Sequence, residues 1–150
     1  MIRLSPKLFI ISGAVGSGKS SRLMAWAANN QACGFITPVI NNRKVLLDIR
    51  SGTFQPYELD RYSENAIEIG KYFLDKKAFD SGGNLLTQSL LLSHPLICID
   101  EIGKLEMADQ GFHESLTTFF PKFAAHPEAK AILVIRDYLL RPVIDKYKLI

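Results

Sequence analysis

The residues with the clearest chemical potential lie near the start of the chain, where residues 13–20 read GAVGSGKS. This spacing fits G-x-x-x-x-G-K-[ST], a loop whose backbone amides surround the phosphates of a nucleotide. In that pattern Lys19 reaches the β- and γ-phosphates, and the Ser20 hydroxyl binds Mg²⁺. Glycines let the backbone approach the oxygens closely, and a helix that begins near Lys19 points its positive end at them. The predicted nucleotide-binding residues are Gly13, Ala14, Val15, Gly16, Ser17, Gly18, Lys19, Ser20 and Ser21.

A second group of reactive residues follows an apolar run in residues 96–107, which read LICIDEIGKLEM. A buried strand there would carry Asp100 to the edge of a sheet, where its carboxylate can hold Mg²⁺ directly or through a water. Glu101 beside it can polarise an attacking water as a general base. Two acids after a strand can also simply cap it, but together with the phosphate loop they favour a metal site and a catalytic base.

Four other basic residues are considered for a role at the site. Lys104 either faces the site or is solvated, and Arg136 either senses the γ-phosphate at the end of a strand or is solvated. Arg43 and Lys44, near a predicted hairpin turn, are expected to be exposed charges. The chain has no Asn-Lys-x-Asp motif for guanine, so we expect broad tolerance of the nucleotide base.

The elements that must position these residues alternate between apolar strands and helices. Strands are predicted at residues 8–12, 33–38, 96–99 and 131–135, with weaker candidates at 57–62 and 70–74. Helices are predicted at residues 19–29, 85–93 and 112–125, with Asn84 as an N-cap after a loop at 80–84 and with Pro121 kinking or ending the last helix. Continuous apolar strands between helices indicate a mainly parallel sheet covered on both faces, in a three-layer α/β sandwich. An antiparallel hairpin around the Asn41–Asn42 turn adds to one edge.

Composition narrows the class of protein further. The 150 residues, of which 47% are hydrophobic and 22% charged, suit one globular domain spanning residues 1–150. A net charge of +3 without a Lys/Arg run gives little reason to expect nucleic acid as a partner. Cys33 and Cys98 lack metal-ligand spacing, which favours reduced thiols and a cytoplasmic protein. No stretch is long enough to span a bilayer, so no membrane association is expected. The sequence leaves any protein partner unknown.

Three short segments give the chain a family resemblance. Residues 100–106 read DEIGKLE, residues 34–38 read GFITP and residues 70–72 read GKY. In this order the segments resemble the THEP-type small nucleoside-triphosphatases, the family that contains the human cancer-related nucleoside-triphosphatase. The resemblance implies a P-loop NTPase fold with added strands and hydrolysis of several nucleoside triphosphates, with Asp100 and Glu101 handling metal and water.

This chain also departs from the family pattern at two places. After Thr37-Pro38 the family usually continues Glu-Val-Arg, whereas residues 39–41 here read Val-Ile-Asn. The last sheet strand is expected to be very short, at residues 147–150, or missing.

Three functions remain to be compared. The first is Mg²⁺-dependent hydrolysis of ATP, GTP or other nucleoside triphosphates, with Lys19 and Glu101 as catalytic residues. The second is an ATP-dependent small-molecule kinase of the nucleoside type; thymidine kinases of similar pattern carry a four-cysteine zinc site, which two cysteines cannot build. The third is a nucleotide-dependent switch or adaptor with little turnover. We expect the hydrolase.

Overall fold

The computed structural model describes the backbone of residues 1–13 and 19–150, and the side chains of residues 1–13 and 22–150. Its strands are β1 (Ile2–Arg3), β2 (Leu8–Gly13), β3 (Cys33–Ile36), β4 (Val39–Ile40), β5 (Arg43–Asp48), β6 (Phe54–Pro56), β7 (Glu58–Leu59), β8 (Ala66–Ile69), β9 (Tyr72–Asp75), β10 (Leu96–Ile102) and β11 (Lys130–Arg136). Its helices are α1 (Lys19–Asn29), α2 (Lys76–Ser89), α3 (Lys104–Met107), α4 (His113–Ala125) and α5 (Leu140–Tyr147), with a 3₁₀ turn at Asp137–Leu139.

A mixed sheet forms the centre of the molecule, with strand order β1-β2-β11-β10-β3-β5-β4 and with β6 paired to β5. Strands β2, β11, β10 and β3 are mutually parallel. At one edge β1 pairs antiparallel with β2. At the other edge β5 pairs antiparallel with β3, and β4 pairs antiparallel with β5. Strands β7, β9 and β8 form a separate small antiparallel sheet. The prediction of a mainly parallel P-loop NTPase sandwich with an antiparallel addition is confirmed.

The parallel strands are apolar on both faces because helices cover both faces. Successive side chains of a strand point to opposite sides of the sheet, and the core accordingly divides into two clusters. Ile97 and Ile99 belong to the larger cluster, with Phe112 and Leu116 from α4 and its approach. Cys98, between them in sequence, packs in the smaller cluster with residues of α1. The strands are therefore apolar at successive positions because both of their faces are buried.

The β4–β5 hairpin confirms the prediction of a turn at Asn41–Asn42. Both asparagines adopt left-handed backbone conformations, with φ values of 52° and 65°. This is the combination that a two-residue type I′ turn requires, and asparagine tolerates it better than most residues. The turn brings Ile40 opposite Arg43 and folds β5 back along β3.

The second helix differs from its prediction. Residues 80–84 are not a loop, and Asn84 is not an N-cap: α2 runs through them and begins after Asp75, whose carboxylate accepts a hydrogen bond from the Lys77 amide at 2.9 Å. The two glycines serve packing instead of a turn. A Cβ on Gly82 would lie 2.5 Å from the Phe112 ring, and one on Gly83 would lie 2.2 Å from Ser115 Oγ. Close approach of α2 to α4 therefore explains both glycines.

Other differences lie toward the end of the chain. Helix α4 continues through Pro121 to Ala125, so the proline does not end it. Residues 147–150 form no strand, because α5 extends to Tyr147 and the residues after it are irregular. Of the weaker predictions, residues 57–62 contain only the two-residue β7, while residues 70–74 overlap β9.

Candidate active site

The predicted site residues lie at or near the ends of strands that meet at the same edge of the sheet. Strands β2, β11, β10 and β3 are parallel neighbours, so their carboxyl ends lie together. Gly13 ends β2 directly opposite Arg136, which ends β11. Asp100 and Glu101 lie near the end of β10, and Thr37 follows β3. Ligands of open α/β sheets bind outside this edge.

The phosphate loop itself lies largely outside the described residues. This holds for Ala14, Val15, Gly16, Ser17 and Gly18, and for the side chains of Lys19, Ser20 and Ser21. Their assigned roles therefore stay predictions. The flanking elements are described: β2 ends at Gly13 and α1 begins at Lys19, so the motif has the strand before it and the helix after it that phosphate binding requires.

Asp100 is fully buried beside the end of β3. Its Oδ2 accepts hydrogen bonds from the Thr37 amide at 2.9 Å and from Thr37 Oγ1 at 3.1 Å, and Thr37 is itself 3% exposed. A buried carboxylate is costly unless it is hydrogen-bonded, and these two donors hold it in one orientation. Sequence reasoning assigned Thr37 no chemical role; its polar side chain directly after a buried strand was the available signal.

A β-bulge places Glu101 on the same side as Asp100. The register between β10 and β11 shifts between Ile99 and Ile102, and Glu101 has a φ of 62°. In a regular strand two successive side chains would point to opposite faces, whereas a bulge re-aims one of them. Glu101 Oε2 lies 3.5 Å from Thr37 Oγ1, so both acids meet at one threonine. A left-handed non-glycine residue costs about 1–3 kcal/mol and is typical of functional sites.

Lys44 also belongs to this cluster, and its prediction as an exposed charge is wrong. Its Nζ donates to Glu101 Oε1 in an ion pair, and its side chain is only 28% exposed. The neighbouring Arg43 does match the prediction: its side chain is 51% exposed and lies 3.7 Å from Asp60. The difference arises because alternate residues of β5 face opposite sides.

Glu106 braces the turn that follows β10. It is 2% exposed, and its carboxylate accepts hydrogen bonds from the Gly103 amide at 2.7 Å and the Phe112 amide at 3.0 Å. Burial raises the pKa of Glu106 to about 7, although both hydrogen bonds act in the opposite direction. Gly111 makes room for it, since a Cβ there would lie 2.1 Å from Glu106 Oε2. The last acid of the DEIGKLE segment is therefore a structural contact.

Tyr57 lies buried close to the three acids. Its pKa is raised well above the usual value of 10, first by burial and then by the negative charges of Glu101, Glu106 and Asp100. The influence of the three carboxylates on this pKa shows that the buried Tyr57 side chain lies within electrostatic range of the acidic cluster. Sequence reasoning placed this residue only in a candidate strand.

Lys104 and Arg136 lie at the same edge of the sheet, but they differ from Lys44 in their contacts. Lys104 is exposed, and its Nζ lies 6.0 Å from the centre of the Tyr138 ring. Arg136 is half-buried opposite Gly13. Among the described side chains, neither forms an ion pair with Glu101. Arg136 thus lies beside the first residue of the phosphate motif, and Lys104 lies farther out over an aromatic ring.

The described side chain at this edge that could help to hold a magnesium ion is that of Asp100. The described residues contain no group of three His, Cys, Asp or Glu side chains that could enclose a metal ion. Mg²⁺ does not need such a cage, because it keeps several waters and takes one or two carboxylates together with substrate phosphates. Asp100, with the Ser20 hydroxyl expected from the motif, fits that requirement. Among the described helices, none has the length and apolar character to cross a membrane.

Comparisons with known proteins bear on the fold and on the family. Curated protein sequences provide no significant match. Two solved structures share the fold: THEP1 from the hyperthermophile Aquifex aeolicus (TM-score 0.71, 19% identity, 94% of this chain and 83% of that one) and a human cancer-related nucleoside triphosphatase (TM-score 0.69, 20% identity, 95% and 85%). The profile of a family described as NTPase matches residues 8–148, nearly the whole chain. The chain therefore belongs to this NTPase family, whose THEP type its DEIGKLE segment already resembled.

Proposed function

We propose that the protein hydrolyses nucleoside triphosphates to the diphosphate and phosphate, with Mg²⁺ as cofactor and with little preference for the base. Family membership supports nucleoside triphosphates as the substrates. The observation that carries the mechanism is the meeting of Asp100 and Glu101 at Thr37, at the sheet edge where the phosphate motif begins. Two acids of different environment at this edge of the sheet support the proposal.

The two acids have different roles because they differ in exposure. Asp100 is fully buried and is hydrogen-bonded by Thr37. A carboxylate held in this way suits a metal ligand better than a general base, which must contact a water molecule. Asp100 and Ser20 are the residues that would hold Mg²⁺, which when bound neutralises charge on the β- and γ-phosphate oxygens. Lys19 would neutralise further charge on the same oxygens.

Glu101 is the candidate base because water can reach it. Its side chain is 27% exposed. Lys44 occupies Oε1, while among the described contacts Oε2 has only the 3.5 Å approach of Thr37 Oγ1. Oε2 is thus placed to accept a proton from an attacking water, a contribution typically worth about 10²- to 10⁴-fold in rate.

The experiment that tests this function measures phosphate release from ATP, GTP, CTP and UTP, with Mg²⁺ and with EDTA. We expect release without an added acceptor, loss of release in EDTA, and less than about a hundredfold spread among bases, equivalent to 2.7 kcal/mol. Release that requires a nucleoside or other small acceptor would indicate a kinase instead. Nucleotide binding without phosphate release, whether or not an acceptor is added, would indicate a switch.

Two variants separate the roles of the acids. Glu101→Gln keeps the shape of the side chain and removes the base, so single-turnover hydrolysis should fall by about 10²- to 10⁴-fold while binding of a non-hydrolysable analogue persists. Asp100→Asn removes a metal-facing charge, so Mg²⁺-dependent analogue binding should weaken as well. Parent-like hydrolysis by Glu101→Gln would contradict the assignment of the base.

A further inference from the structure

Lys44 reaches the candidate site from outside the parallel strands. It lies on β5, at a sequence separation of 57 residues from Glu101, and its Nζ donates to Glu101 Oε1. The side chains of both partners are nearly three-quarters buried, at 28% and 27% exposure. A pair in this setting is screened less by salt and water than a surface pair.

Backbone hydrogen bonds fix the position of Lys44. The Val45 amide donates to the Pro38 carbonyl at 2.9 Å, which ties β5 to the residue directly after Thr37. The Tyr57 amide donates to the Lys44 carbonyl at 3.3 Å from the other side. The backbone of Lys44 is therefore held by hydrogen bonds on both sides, and the position of the hairpin allows its side chain to contact Glu101.

The local charge explains why Glu101 needs such a partner. Asp100 is its sequence neighbour, and Glu106 is near enough for the charge of Glu101 to contribute to the raised pKa of Glu106. Like charges push a carboxylate toward solvent, and the left-handed backbone at Glu101 adds a conformational cost. Among the described side chains, Lys44 is the cation paired with this carboxylate.

We propose that Lys44 is a positioning residue for the hydrolytic reaction: it holds Oε1 of Glu101 so that Oε2 stays beside Thr37 and faces the attacking water. This inference rests on the proposed function, in which Glu101 is the base. Lys44 acts through Glu101, with which it forms an ion pair.

The test compares Lys44→Met, which keeps length and removes charge, with Lys44→Arg and with Arg43→Met on the same strand. We expect Lys44→Met to lose about 10- to 100-fold in single-turnover rate, the scale of a misplaced catalytic group, with analogue affinity within about threefold of the parent. Lys44→Arg should restore most of that rate, and Arg43→Met should hydrolyse like the parent. Thermal unfolding of each variant checks that the fold persists.

The decisive measurement repeats Lys44→Met in the Glu101→Gln background. A residue that acts through Glu101 costs nothing further once the base is gone, whereas a residue that acts on its own costs the same in both backgrounds. Equal losses in the two backgrounds, or parent-like hydrolysis by Lys44→Met, would overturn the inference and leave the proposed function standing. Parent-like hydrolysis by Glu101→Gln would instead overturn the proposed function. If Lys44→Met does not fold, Lys44→Gln provides the same two comparisons.

Discussion

Replacing Thr37 by valine tests the contact on which the candidate site depends. Valine has nearly the shape of threonine and lacks the hydroxyl, so the change removes the 3.1 Å hydrogen bond to Asp100 Oδ2 and leaves the 2.9 Å bond from the backbone amide. Thr37 and Asp100 are buried, at 3% and 0% exposure respectively. Water therefore does not readily replace the lost hydroxyl donor.

The magnitude follows from the charge and burial of the acceptor. A hydrogen bond to a charged group contributes about 1.5–3 kcal/mol. For a chain of this length 1 kcal/mol corresponds to a shift of about 2–4 °C in Tm, so a loss of about 2 kcal/mol should lower Tm by about 4–8 °C. Because the same hydroxyl orients Asp100, Mg²⁺-dependent binding of a nucleotide analogue should weaken in parallel.

The assay is thermal unfolding and urea unfolding of the parent, Thr37→Val and Thr37→Ser, with calorimetric analogue binding for each. Serine keeps the hydroxyl and loses one buried methyl group, which costs about 0.8 kcal/mol. We therefore expect serine to bind the analogue like the parent and valine to be the less stable variant. A valine variant as stable as the parent, with serine the weaker of the two, would refute the reasoning.

Three further predictions concern other parts of the molecule. Lys19→Ala should fold normally and lose most triphosphate affinity or turnover, because the motif lysine contacts the β- and γ-phosphates; unchanged steady-state kinetics would exclude this site. Glu106, with its pKa raised from 4.5 to about 7, binds a proton more readily in the folded chain; its stabilising contribution is complete below pH 4.5 and lost as the pH rises through 7. The parent should lose about 3 kcal/mol of unfolding free energy over that range relative to Glu106→Gln, and equal pH slopes in urea unfolding would contradict this. Gly82→Ala should destabilise the protein despite the helix preference of alanine, since its Cβ would meet the Phe112 ring at 2.5 Å; a rise in Tm would show that the ring can move.

The features that sequence alone determined are those carried by neighbouring residues. Residues 13–20 carry the complete phosphate-loop pattern within eight positions, and apolar runs such as residues 131–135 indicate buried strands without reference to partner strands. Parallel connection of these strands then brings Asp100 to the edge where the phosphate motif begins. The hairpin was equally readable, because Asn41 and Asn42 are residue types that tolerate the left-handed turn between its strands.

The tertiary structure decided what depends on residues far apart in the chain. Sequence cannot tell whether a glycine permits a turn or a close approach, and Gly82 and Gly83 serve the second purpose against α4. Glu101 faces the same threonine as Asp100 only because a bulge interrupts β10. Lys44 meets Glu101 only because β5 folds back along β3. The pattern of neighbouring residues predicts burial and turn type. The direction and the partner of a charged side chain depend instead on packing between segments that are distant in the chain.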